Sequence, residues 1–271
     1  MLQVVLGFDA AAVATAFAVP TATMAQRLVR AKRRIRDAGV PFAVPDRDAL
    51  PERLPAVLDA VYACAVLESG ELVGEARHLA VLLATLLQDQ PEAWALAALT
   101  TFAAARAPAG SAAGYTPLEE QDPRTWDAGL LREAEAHLRR ASAVPPGRFQ
   151  LEAAVSAVHA DRARTGRTDW AALDVLYRAL LVVAPTLGAA VAAASVTGRR
   201  HGPDAGLAAL DGLAAEPGAT DFQPWWAVRA HLLAAAGRAQ EAAAAYERAV
   251  GLSTDDAVRD HLRRRAASLR G

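Results

Sequence analysis

One cysteine, Cys64, stands among 271 residues. That excludes a disulfide within the chain and any metal site built on a cysteine pair. Cys64 lies in an apolar run, where a free thiol is a small packing group. Lysine is as scarce. Lys32 is the only one, so the Gly-Lys of a phosphate-binding loop is missing. The six histidines, His78, His137, His159, His201, His231 and His261, are too far apart for zinc-site spacing. No Gly-x-Ser-x-Gly elbow occurs. Nothing here requires a cofactor or a metal, and whether the chain is an enzyme stays open. Apolar runs are broken by charge well short of the ~20 residues of a membrane span. The first residues lack a basic leader and a cleavage site. The expectation is a cytoplasmic protein with no membrane partner. No run of Val, Ile, Thr and aromatics alternates with period two, so strands are not expected either.

Alanine and arginine dominate instead. Alanine has the highest helix propensity and little volume, so Ala-rich segments predict helices that approach closely. The fold class expected is all-α. The net charge of −1 conceals an asymmetry. Residues 1–47 hold seven basic against three acidic side chains, and the remainder holds 22 against 27. A basic head on an acidic body suits a polyanion-facing module.

The head centres on residues 19–36, VPTATMAQRLVRAKRRIR. Met24, Leu28, Ala31 and Ile35 are spaced to share one side of a helix, which the spacing expects to be the packed side. Residues 9–19 predict a shorter helix carrying Val13, Phe17 and Val19. Two short helices with a tight turn, the second rich in Arg and Gln, form a helix-turn-helix pattern. Gly39 and Pro41 end the basic helix, and the Pro-rich stretch 40–49 reads as a stiff connector.

From Leu50 onward, helices alternate with Gly and Pro breaks, among them helices expected over Pro91–Arg106 and Pro123–Ser142, giving a middle domain over 50–166. The last hundred residues, 167–271, fall into helix pairs that start at Asp169 and Leu187, Pro203 and Phe222, and Arg238 and Asp255. There the stretch LLAAAGRAQEAAAAYERAV (232–250) has the glycine turn, small packing residues and single aromatic of a tetratricopeptide repeat. Such pairs stack into a solenoid with a concave binding face.

Taken in order, the segments AVPTATMAQRLVRAKRRIRDAGVPFAVP, LPERLPAVLDAVY, LEEQDPRTWDAGLLREA, PGRFQLEAAVSAVHADRA, TDWAALDVLYRALL and AAGRAQEAAAAYERAVGL resemble one family. It is the C-terminal portion of bacterial extracytoplasmic-function RNA polymerase sigma factors that carry a tetratricopeptide-like extension. The resemblance implies that residues 1–39 are a truncated region 4, the helix-turn-helix that reads the −35 promoter element. It also implies promoter DNA and RNA polymerase as partners. Region 2, which melts the −10 element in that family, has no counterpart here. The family's aromatic FNEGY-type segment is replaced by ACAVLESG at 63–70.

For DNA, resemblance and chemistry meet on Thr21, Thr23, Gln26, Arg27, Arg30 and Arg33, which suit base edges. Lys32 and Arg34 suit phosphate. A looser set, Glu119, Glu120, Asp122, Trp126, His159, Asp161, Trp170 and Tyr177, can line a groove with His159 as general base or ligand contact. The competing reading of that set is a packed histidine with capping acids. Trp225, Trp226 and Tyr246 read either as a binding wall or as plugs in an Ala-rich core. Two functions are therefore expected as alternatives. One is a sigma-factor-like regulator fragment with a repeat face for a protein or ligand. The other is the same scaffold recruited to small-molecule chemistry or binding.

Overall fold

A computed structural model describes residues 10–16, 21–39, 50–67, 72–107 and 114–269. Among them every regular element is helical and there is no strand. No helix of the described residues is long and apolar enough to cross a membrane. The chain forms two compact units: residues 1–107 with 129–144, and residues 108–128 with 145–271. The boundary expected after residue 166 thus falls inside the second unit. The connector expected at 40–49 lies outside the described residues.

Unit 1 contains α1 (Ala10–Ala16), α2 (Thr21–Asp37), α3 (Leu50–Leu67), α4 (Val73–Leu86), α5 (Pro91–Arg106) and α6, which runs over Ala128–Arg140. Pro91 opens α5 at a position where its missing N–H is not needed. Ten α5 residues are buried, among them Trp94, Leu96 and Phe102. Thr100 and Thr101 are buried too, and each satisfies its hydroxyl by donating to a carbonyl one turn back, Leu96 at 2.9 Å and Ala97 at 2.7 Å. α6 is fastened by side chains rather than by a broad interface. Arg77 on α4 donates to both Glu133 oxygens at 2.6 and 2.7 Å. Arg140 lies 4.5 Å from the centre of the Trp94 ring, and His137 packs against the same ring. Burial pushes the Glu133 carboxyl up, but hydrogen bonds from Arg77 and His137 outweigh it and hold the group below its ordinary value.

Unit 2 contains a one-turn 3-10 helix (Pro123–Thr125), α7 (Arg148–Ala160), α8 (Arg162–Thr165), α9 (Trp170–Val183), α10 (Leu187–His201), α11 (Pro203–Gly212), α12 (Gln223–Ala235), α13 (Ala239–Leu252) and α14, which is Asp256–Ala267. Successive helices from α9 to α14 pack on one another, and α10 also packs on α12. Their starts follow local rules. Asp169, Thr186 and Asp255 cap α9, α10 and α14 by accepting backbone N–H bonds. Gly237 makes the α12–α13 turn at φ +75°. Trp225 and Tyr246 are buried in the core of this array with Leu207, Leu210 and Leu233, so both are plugs. Trp225 donates its indole N–H to the Leu210 carbonyl at 3.2 Å.

One expected helix differs. The stretch from Pro123 does not run unbroken to 142. Asp122 accepts from the Arg124 N–H at 3.0 Å, one 3-10 turn forms, and Trp126 leaves it in extended conformation with its ring buried.

Candidate functional site

In unit 1, α1 and α2 pack on each other, and α1 also touches α3. Their shared core is Val13, Ala14, Met24, Cys64 and Ala76, with Leu28 at its edge. Cys64 donates to the Ala60 carbonyl, and burial pushes its thiol up despite that bond, which suits packing. The residues between the two helices, 17–20, with Phe17 and Val19, lie outside the described residues, as does Asp9.

The sequence expected Met24, Leu28, Ala31 and Ile35 to form the packed side of α2. Only its first turns obey. Met24 is buried and Leu28 half-buried, whereas Ala31 and Ile35 are exposed. The reason is length: α1 has 7 residues and α2 has 17, so the second half of α2 extends past its support. Every charged position expected for DNA consequently faces outward. Gln26, Arg27, Arg30, Lys32, Arg33 and Arg34 are exposed, as are Arg36 and Thr21, and Thr23 is half-buried. Arg33 pairs with Asp37 at 3.3 Å, and Arg30 donates to the Gln26 carbonyl at 3.4 Å.

In unit 2 the looser set divides in two. His159 meets Trp170 edge to face at 6.3 Å, and Trp170 and Tyr177 pack around Val155, Leu173 and Val196. Burial, aided by Glu152, pushes the Tyr177 hydroxyl up to about 12, so it keeps its proton at neutral pH. Glu119, Glu120, Asp122 and Trp126 sit together on the segment 114–126. Asp122 is taken up by Arg124, whose hydrogen bonds hold its carboxyl below the ordinary value. The competing reading therefore describes Asp122 well: it caps.

Two arginines that sequence reasoning missed connect the pieces. Arg162 donates to the carbonyls of Leu118, Glu119 and Gln121 at 2.7–2.9 Å and lies 5.2 Å from the Trp126 ring. Arg199 pairs with Glu119 and lies 5.5 Å from the Trp170 ring. Arg199 sits 80 residues from Glu119 in sequence, a separation at which no spacing rule works. Beside Trp170 is an open cleft of about 320 Å³ lined by Asp161, Thr165, Arg167, Thr168 and Asp169. Its walls suit a polar ligand, unlike the enclosed apolar pockets of most cofactor sites. Among the described residues no three His, Cys, Asp or Glu side chains converge to hold a metal ion.

Near Glu119 and Glu120 stand His231 and His261. Burial lowers the His231 pKa from its ordinary 6.5, Arg199 and Arg265 lower it further, and Glu120 only partly opposes them. His261 is lowered for the same first reason, with Glu120 opposing and Arg264 and Arg265 adding to the shift. A histidine held neutral by folding leaves stability intact above the unfolded value and loses it as pH falls from there through the folded value. The melting midpoint is therefore expected to fall as pH drops below the ordinary histidine value of 6.5, before carboxylates titrate. It should fall less in His231→Gln. Equal pH slopes in differential scanning fluorimetry would refute the assignment.

Residues 53–142 match a protein family described as a family of unknown function (DUF6596). The match covers α3 to α6 and includes the segment 114–126. A curated relative, an uncharacterized protein of Rhizobium meliloti (strain 1021), is 34% identical over 277 residues, covering 97% of this chain and 64% of the relative. The chain thus spans less than two thirds of that relative's length. No solved structure matches.

Proposed function

We propose that this chain is the DNA-reading and adaptor portion of a sigma-factor-like transcription regulator. α2 enters a duplex groove, promoter DNA and RNA polymerase are its partners, and the successive helix pairs of unit 2 are a tetratricopeptide-like array that takes a protein or ligand. The observation that supports this most is the outward orientation of the α2 cations. Six basic side chains project from one 17-residue helix that is tethered at a single buried residue, Met24. Any surface helix turns its charges to solvent; α2 differs in carrying six cations against one acid, Asp37, which suits a polyanion.

The test is fluorescence anisotropy with labelled duplex DNA over a salt series. Each phosphate contact contributes about −0.9 to the slope of log K against log salt. A slope of roughly −3 or steeper is expected, flattened by about 2 in Lys32→Ala/Arg34→Ala, whose helix stays folded because both side chains are exposed. No binding to any duplex even at low salt would remove the reading. The alternative, a scaffold recruited to small-molecule chemistry or binding, has its best address in the Trp170 cleft. Ligand-induced NMR shifts confined to 161–170, in a chain that ignores DNA, would favour it.

A further inference from the structure

We propose that the face of unit 2 formed by α10, α12 and α14 is a binding surface for an acidic peptide, and that the chain's own segment 114–120 occupies it in cis as an exchangeable stand-in. The inference stands whether or not α2 reads DNA.

Four side chains define the face: Arg199 from α10, His231 from α12, and His261 and Arg265 from α14. They come from alternate helices of the array. The charges of Arg199 and Arg265 both reach His231, so the group is one electrostatic patch. Two cations from alternate helices next to two neutral imidazoles form a cradle for negative charge. The carboxylates facing them come from the segment 114–120. Glu119 pairs with Arg199. Glu120 lies 4.0 Å from Arg265 and its charge is felt by His231 and His261. Tyr115 sets its ring edge to face on His261 at 5.5 Å. The neighbouring Tyr246 raises the Arg265 pKa further, so that guanidinium stays charged.

The hold is uneven along the segment. Its C-terminal end is fixed: Trp126 is buried, donates to the Gln121 side chain at 3.2 Å and packs with Arg162. Arg162 also holds the backbone carbonyls of Leu118 and Glu119, but the side-chain contacts of Tyr115, Glu119 and Glu120 are superficial. The Tyr115 residue is 44% exposed, and the side chains in the two ion pairs are 36–49% exposed. Half-exposed ion pairs are individually weak, so their occupancy depends on tethering, which supplies an effective concentration on the order of millimolar. A partner peptide offering an aromatic residue and, four and five positions on, two adjacent carboxylates meets the same groups. It competes against that tether and against the Arg162 bonds to the Leu118 and Glu119 carbonyls.

The probe is a fluorescein-labelled peptide with the sequence of residues 114–126. Wild-type protein should bind it weakly. Tyr115→Ser/Glu119→Ser/Glu120→Ser, and separately the isosteric Glu119→Gln/Glu120→Gln, empty the face and should bind it about tenfold tighter or more. Adding Arg199→Gln/Arg265→Gln should abolish that gain. A scrambled peptide of equal charge should bind at least about tenfold more weakly than the probe in the emptied variants. The proposal is overturned if both variants keep the wild-type circular dichroism spectrum yet bind the probe no better. Equal binding of the scrambled peptide also overturns it, because attraction is then unspecific. The isosteric pair guards against misfolding, since it changes charge without volume.

Discussion

Replacing Trp225 by alanine lowers the stability of unit 2 by about 3–5 kcal/mol, the range for a buried tryptophan truncated in place. Trp225 is 4% exposed and packs among Leu207, Leu210, Leu233 and Tyr246. Its ring meets Trp226 edge to face at 4.8 Å, and Arg229 covers it at 5.2 Å. Nearly half of the core around it is alanine, including Ala230, Ala242, Ala245 and Ala249. Such side chains have no further atoms to reach into a void, so the cavity stays open and its full penalty is felt. At roughly 2–4 °C per kcal/mol for a domain of this size, the melting midpoint should fall by on the order of 10 °C. Trp225→Phe keeps most of the volume and loses the bond to the Leu210 carbonyl. That carbonyl also accepts from the Leu213 N–H, so the loss should be near 1 kcal/mol. Thermal unfolding by circular dichroism distinguishes the two. A shift below about 2 °C for the alanine variant would show that the array closes over the gap.

Gly206→Ala is expected to destabilise although helix propensity says the opposite. Alanine in a helix is favoured over glycine by about 1 kcal/mol. At 206, however, a Cβ would lie 2.8 Å from the Gly198 Cα, 2.9 Å from Leu232 Cδ1 and 3.0 Å from the Ala194 carbonyl oxygen. Leu232 can turn its methyl away; the two backbone atoms of α10 cannot. Relief means separating α10 from α11, and overpacking of this kind costs typically 1–3 kcal/mol. The paired control is Gly251→Ala in α13, where a Cβ meets nothing within 4 Å. That change should stabilise by about 0.5–1 kcal/mol. Urea denaturation should therefore move the two variants in opposite directions. A stabilised Gly206→Ala would mean that the close approach of α10 and α11 is not maintained in solution.

These two cases show where reading the sequence stops. The helix α5 was legible from Pro91 to Arg106, and α9, α13 and α14 were placed to within a residue or so at their starts. Caps such as Asp169 and Asp255 act on amides two or three residues away, so the chemistry is local. The glycine turn at 237 was legible for the same reason. The packed side of α2 was only half legible. Periodicity states which residues share a side, but α1 is too short to cover Ala31 and Ile35. The break at Trp126 was missed because a buried ring draws the chain out of helical conformation, and burial is not a local quantity.

The candidate site divides along the same line. The cations exposed on α2 were visible from sequence because charge on one helix shows in eighteen consecutive letters. Of the contacts between the acidic segment and the rest of unit 2, Glu119 and Glu120 were noticed, but Arg162, Arg199, His231, His261 and Arg265 were not, because each meets its partner across tens of residues. By itself the sequence determined the helical character of the described residues, their caps, most of their breaks and a cationic helix near the start, all set by hydrogen bonds and torsions within a few residues. Only tertiary packing decided which aromatics became plugs, which glycines touch, and which arginines close on the acidic segment. Those outcomes depend on distances between atoms that the order of residues along the chain does not contain.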